Sequence, residues 1–324
     1  MELLNATAQN GISMTAGYTM GMQPDGRELL VVVVKGTFQI PRDSSAPKLL
    51  EKQTPLVDAD TFTGEPGLSA PIYESDYAPF KPRCDVVLLG SAHAPGGLPA
   101  RQVRVALSVG QIYKQFDVVG NRVWSSGFLG AEATDPEPFT VLPITYDVAS
   151  GGVDNLSDDP NLHEAHPDNP IGRGFFPQSR GSDMDGKPLP NTEDPGNSIK
   201  DPRIPYNPMG FGPIGRSWAP RPKYAGTYDQ DWIDNVFPFL PSDFDERYHQ
   251  CAPPDQQIAY LQGGEDVLLV NLTAEGKTAF SLPKIDLPVT FYFKNYEEKV
   301  VTAQADTLLI EPDLDRFTDR KSVV

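Results

Sequence analysis

The hydrophobic pattern along the chain is that of many short strands with little helix. Leu29-Leu30-Val31-Val32-Val33-Val34, continued by Lys35-Gly36-Thr37-Phe38-Gln39-Ile40, predicts a strand over 28–40. Stacked β-branched residues have stiff χ1 angles that suit a pleated sheet better than a helix. Their run is continuous rather than alternating, which predicts a strand covered on both faces. Residues 85–124 read as a meander. A strand over 85–90 is followed by the turn Ala94-Pro95-Gly96-Gly97. Val103, Val105, Leu107 and Val109 then alternate with Arg104, Ala106 and Ser108, the period-two mark of a half-buried strand. Residues 112–119, 122–124 and 139–146 are expected to add strands. After Glu265 the pattern resumes over 267–272, 278–282, 289–294, 299–303 and 307–310.

Two regions depart from this pattern. Residues 149–225 are dense in Pro, Gly, Asn and Asp and show no periodicity, but they carry Phe175, Phe176, Tyr206, Phe211 and Trp218. Disordered tracts are poor in aromatics, so ordered, irregular structure packed on the sheets is expected. Tyr228, Trp232 and Val236 recur every four residues and predict a short helix within 227–239, its end blurred by Pro238; a second is expected near 243–251. The fold class that follows is mainly β, with antiparallel, sandwich-like sheets, a long Pro/Gly-rich insertion and one or two short helices. The chain divides into an N-terminal β region (1–148), the insertion (149–225), and a short helix with a C-terminal β meander (226–318), within one integrated domain.

Composition narrows the function classes. The 324 residues suffice for a real core, and the 33 Pro and 28 Gly agree with extensive irregular backbone. A net charge of -17 repels phosphate backbones, so nucleic acid is not an expected partner, while a basic protein is allowed. Cys84 and Cys251 are far apart and outside any C-x-x-C motif, which predicts two free buried thiols in a reducing compartment. The N-terminus lacks the charged start and apolar stretch of a signal peptide, and the longest apolar run, Leu29 to Val34, is too short to span a bilayer. A cytoplasmic location without membrane attachment is the expectation.

Candidate chemistry is sparse. His163 and His166 stand three apart with Asp158, Asp159 and Asp168 nearby, but Pro160 and Pro167 bracket them and a third metal ligand cannot be named. Asp183 and Asp185 resemble the start of a calcium loop, yet the twelfth position is Asp194 rather than Glu, and Pro188 and Pro190 interrupt the flank. Gly210-Phe211-Gly212-Pro213 is Gly-rich, but Pro213 removes an amide a phosphate would need. No G-x-S-x-G elbow or Walker loop occurs. With no catalytic, metal or cofactor set, an enzyme is not expected.

A series of unusual strings carries a family resemblance. In order they are Val33-Val34-Lys35-Gly36-Thr37-Phe38, Gly64-Glu65-Pro66-Gly67, Tyr73-Glu74-Ser75-Asp76 and Ala78-Pro79-Phe80-Lys81-Pro82. Next come Gly90-Ser91-Ala92-His93-Ala94-Pro95-Gly96-Gly97, Asn169-Pro170-Ile171-Gly172-Arg173-Gly174-Phe175 and Leu189-Pro190-Asn191-Thr192-Glu193-Asp194-Pro195. The last are Gly210-Phe211-Gly212-Pro213-Ile214, Gly226-Thr227-Tyr228-Asp229, Leu240-Pro241-Ser242-Asp243-Phe244-Asp245 and Ala252-Pro253-Pro254-Asp255-Gln256-Gln257. Together they resemble the domain-of-unknown-function family numbered 2169, known as a type VI secretion accessory family. The resemblance implies an adaptor or chaperone that binds a secreted effector and helps load it onto the VgrG/PAAR spike; it supplies no catalytic residues and no cofactor. Aromatic and Arg side chains dominate binding hot spots, which makes Phe211, Trp218, Arg221, Tyr228 and Trp232 candidate partner-binding residues. Packing of the irregular region over the sheet is the commoner fate of such side chains. The competing readings are a carbohydrate-binding or carbohydrate-acting β-protein and a structural part exported with the spike.

The last six residues, Asp319-Arg320-Lys321-Ser322-Val323-Val324, are spelled by GAT CGG AAG AGC GTC GTG, a widely used sequencing-adapter sequence that runs in frame into TAG. They read as an adapter-derived tail standing where the family's chains continue into another strand. On that reading a strand is missing and a sheet edge is exposed. The alternative is an ordinary charged, disordered terminus.

Overall fold

A computed structural model describes the chain apart from residues 24, 44, 128–129 and 179–180. Its main strands are β1 (Thr15–Met22), β2 (Glu28–Gln39), β3 (Cys84–Leu88), β4 (Gln102–Val109), β5 (Ile112–Val119), β6 (Thr192–Glu193) and β7 (Gln257–Ile258). They are followed by β8 (Asp266–Val270), β9 (Lys277–Ser281), β10 (Pro288–Tyr292), β11 (Glu298–Thr302), β12 (Gln304–Glu311) and β13 (Arg316–Val323). Six of these form a sheet of order β1-β2-β13-β12-β3-β7, and five form a second of order β6-β5-β4-β8-β9. Pairing is antiparallel except between β12 and β3. β10 and β11 form a separate hairpin. The architecture is mainly β, as the strand pattern predicts.

Alternation along each strand explains the sandwich. Val34, Phe38, Val86, Leu88, Leu308 and Phe317 on the inner face of the larger sheet join Val105, Leu107, Leu269 and Phe280 of the smaller one in a single core. Phe317 stacks on Phe38 with ring centroids 5.3 Å apart and on Phe280, across the sandwich, at 5.2 Å. Each such side chain contributes about 1.5–3 kcal/mol by leaving water. The expected continuous strand is β2, buried without interruption from Val31 to Phe38. β1 escaped the apolar pattern because it is an edge strand with alternating exposed Tyr18, Met20 and Met22. The predicted helix is a single α-helix, α1 (Gln230–Asn235), capped by the Asp229 carboxylate, which accepts from the Trp232 amide at 3.0 Å. The second expected helix is one 3-10 turn, Glu246–His249.

Residues 149–225 are irregular chain held down by buried polar side chains. Buried polar groups must find partners, so each one also fixes the backbone it bonds. The Asn169 amide donates to the Tyr146 and Ser150 carbonyls at 2.9 and 3.0 Å. Gly151 passes so close that a Cβ there would lie 2.1 Å from the Asn169 carbonyl oxygen. The Asn191 amide donates to the Val119 carbonyl at 2.8 Å on β5. Trp124, Met184, Leu189, Ile199 and Tyr206 form a small core of their own. Further along, Gln256 donates to both the Val86 and Phe211 carbonyls and accepts from Lys114 at 2.8 Å. Asp85 accepts from Lys81 at 2.8 Å, from Gln250 at 2.6 Å, and from the amides of Cys251 and Ala252. Burial disfavours the Lys81 ammonium, but the Asp85 carboxylate together with Cys251 and Asp306 outweighs it, and the net effect raises the Lys81 pKa.

β13 corrects the expectation for the chain's last residues. They are neither a disordered tail nor a lost strand beside an open edge: Arg316–Val323 lies inside the sheet, paired to β2 on one side and β12 on the other. Ladder hydrogen bonds are made by the backbone, so the slot accepts almost any side chain. The side chains tell a different story. Asp319 pairs with Gly36 and Lys321 with Val34, on the same face as Phe317. Two charges therefore point into the hydrophobic side of the sandwich, bonded to each other at 3.1 Å. Burial raises the Asp319 pKa even against Lys321.

Two outcomes are expected in equilibrium urea unfolding. Asp85→Ala strands the buried Lys81 charge and three other donors, the Gln250 amide and the Cys251 and Ala252 backbone amides, and should cost about 3–5 kcal/mol. Replacing Asp319 and Lys321 together by Val should stabilise, by about 1–4 kcal/mol; a loss of stability would show that the ion pair belongs there.

Candidate functional site

The five predicted partner-binding residues separate into two groups. Phe211 is fully buried, packed on Phe116 at 4.5 Å between the insertion and β5. Trp218 is buried edge-on against Tyr146. Arg221 is 1% exposed. Its guanidinium donates to the Ile214 carbonyl at 2.8 Å, to the Tyr248 carbonyl at 2.9 and 3.1 Å, and pairs with Glu74. These three are not a surface: loop backbone with no sheet partner uses them to close its own hydrogen bonds and fill space. Of the five, Tyr228 is exposed and Trp232 half-buried at the surface beside it.

The histidines and acids considered for metal do not converge. Both nitrogens of the buried His166 ring are engaged, Nε2 with the Tyr206 carbonyl at 3.1 Å and Nδ1 with the Asp168 amide at 3.3 Å. His163 is exposed and its Nε2 meets the Ser157 carbonyl. Asp185 accepts from the Ser126 amide, and Asp183 is exposed. Among the described residues no three His, Cys, Asp or Glu side chains come together. Cys84 and Cys251 are free and buried, and burial raises both thiols well above their ordinary pKa.

Around Tyr228 and Trp232 the surface forms an acidic, aromatic knob. Tyr228 packs edge-on against Trp232 at 4.8 Å, Trp232 against Phe237 at 5.6 Å, and the indole N–H donates to the Phe239 carbonyl. Tyr228, Ile233 and Phe237 are 52%, 55% and 67% exposed. Residues 225–246 contain Asp229, Asp231, Asp234, Asp243, Asp245 and Glu246 but no Lys, Arg or His. Sequence reasoning found the two aromatics through helical spacing. It missed Ile233 and Phe237, which lie off that spacing and reach the surface because the helix is short.

A second feature, unforeseen in the sequence, is a cleft of about 500 Å³ over the outer face of the six-stranded sheet. Its floor is Val87 and Leu309, outward-facing on β3 and β12; Val57 and Ile72 wall it from the segment that crosses above. Polar pairs frame these apolar surfaces. Lys35 is bonded to Asp76, whose carboxylate also accepts from the Val57 amide. Arg316 holds Glu311 through two bonds of 2.7 and 3.1 Å, and the Tyr73 hydroxyl donates to the same carboxylate at 2.5 Å. Burial and then Glu311 push the Tyr73 phenol up to about 12, so it remains a donor. Glu74 is matched by Arg221 and Arg216. Lys52 stands exposed at the rim, with no ion pair or hydrogen bond among the described residues.

His249 lies against Phe244 and Tyr248. Burial, followed by the charges of Arg216, Lys81 and Arg221, lowers its pKa to about 4. The unfolded chain takes up this proton near pH 6.5, before the folded one does. Stability is thus full above pH 6.5 and falls as pH drops towards 4, by about 3 kcal/mol at most from this residue. Unfolding curves at pH 7 and 4.5 should show a smaller loss in His249→Gln than in the parent.

Among the described residues no helix is long and apolar enough to cross a membrane. No curated protein and no solved structure matches the chain. A family model described as "Uncharacterized protein conserved in bacteria (DUF2169)" matches residues 25–318. The match spans most of the 324 residues, and the chain belongs to this bacterial family of uncharacterized proteins.

Proposed function

We propose that this protein is a non-catalytic adaptor of the bacterial type VI secretion machine, which holds a secreted effector and helps load it onto the VgrG/PAAR spike. The observation that carries the reading is the acidic, aromatic knob of Tyr228, Trp232, Ile233 and Phe237. A patch of clustered exposed aromatics has the composition of a binding hot spot. Its carboxylates favour a partner surface that is apolar at the centre and basic at the rim. The net charge of -17 opposes binding to nucleic acid or to an anionic membrane surface. Free buried thiols suit the reducing cytoplasm, where loading precedes export.

The knob can be altered without touching the core, because Tyr228, Ile233 and Phe237 are more than half exposed. The triple variant Tyr228→Ala, Ile233→Asp, Phe237→Ala should keep its thermal midpoint within a few degrees and lose at least tenfold in affinity for the effector encoded beside it, a change of about 1.4 kcal/mol. Asp231→Lys with Asp234→Lys should slow association and weaken its dependence on salt. Undiminished co-purification of the effector with the triple variant would sink this reading.

A further inference from the structure

The cleft over the six-stranded sheet has the features of a ligand site and is distinct from the knob. Its volume of about 500 Å³ falls in the range of small-molecule pockets. Its floor and one wall are aliphatic, through Val87, Leu309, Val57 and Ile72. In a protein of charge -17, the cations lining it outnumber the anions, with Lys35, Lys52, Lys81, Arg316 and Arg320 against Glu74, Asp76 and Glu311. All three carboxylates are already matched inside the protein, by Arg221 and Arg216, by Lys35, and by Arg316 with the Tyr73 hydroxyl. They have little capacity left for a cationic ligand. Lys81 is taken up by Asp85 and Thr307, and Arg320 by Asp306. Among the described residues Lys52 is the lining cation with no partner, and it stands at the mouth.

From this arrangement we propose that the cleft binds an apolar body ending in a carboxylate, its chain lying on Val87 and Leu309 and its anionic end at Lys52. Two sources share that chemistry: a free apolar carboxylic acid and the C-terminal residue of a peptide. The site does not depend on the adaptor reading, since none of its residues belongs to the knob.

Calorimetric titration of the whole chain tests it with four probes: octanoate, 1-octanol, a hexapeptide ending in Leu with a free carboxyl, and its C-terminal amide. Binding of octanoate or of the free-carboxyl peptide is expected, at least tenfold tighter than that of the octanol or amide counterpart. Lys52→Glu, at an exposed position, should leave the thermal midpoint unchanged and weaken binding at least tenfold. Ile72→Trp, which fills the wall, should abolish it in a protein that still unfolds cooperatively. Octanoate binding without peptide binding identifies a small molecule; peptide binding identifies a partner's chain end. The proposal is overturned if no probe binds at millimolar concentration, if octanol or the amide binds as well as its acid, or if Lys52→Glu binds octanoate or the peptide like the parent. Loss of effector capture in the knob variant with cleft binding intact would separate the two sites.

Discussion

The buried Asp85 carboxylate, bonded to Lys81, Gln250 and two backbone amides, joins parts of the chain that no regular element connects. One carboxylate on β3 fixes residues 250–252, which in turn place the Ile214 amide on the Cys251 carbonyl at 2.8 Å. Arg221, anchored to the Ile214 and Tyr248 carbonyls, extends the same network to Glu74 above the cleft. Desolvating such groups is costly unless every bond is made, so the network tolerates few alternatives. That constraint lets a long Pro- and Gly-rich segment hold one conformation over a sheet although its described residues form only two-residue strands and short 3-10 turns.

The same network explains the division of the surface. Side chains spent on closing irregular backbone, such as Phe211, Trp218 and Arg221, are unavailable to a partner. Segments that cap their own ends are free of that duty. α1 is started by the Asp229 N-cap and turns Ile233 outward. On the sheet, the outer faces of β2, β3, β12 and β13 carry charge, and those charges hold the segment that roofs the cleft, as Lys35 does through Asp76. The cleft and the knob are therefore consequences of one device, buried ion pairs and amides standing in for regular hydrogen bonding.

The strings that mark the family are largely the residues of this device. Asn169, Asn191 and Gln256 are buried stitches, and Glu74, Asp76 and Lys81 frame the cleft. Their order in the sequence was enough to place the chain in its family. Their role was not visible, because a Gln or Asn in a Pro-rich stretch looks like solvated loop until the carbonyls it serves are known. β13 shows the reverse case. Asp319 and Lys321 give no strand signal, yet their backbone occupies an inner slot, with the mismatch left in their side chains.

The sequence by itself determined the mainly β class, the positions of most long strands, the short helix near Trp232 and the free, buried state of both cysteines. These follow from local period, χ1 stiffness and residue count, which need no distant partner. Only the tertiary structure decided which aromatics face water, that β3 runs parallel to β12, and that a cleft lies over the outer sheet face. Each of these depends on contacts between residues far apart in the chain, such as Asp85 with Gln250 or Lys35 with Asp76, and local pattern carries no information about which distant carbonyl or charge a buried polar group will meet.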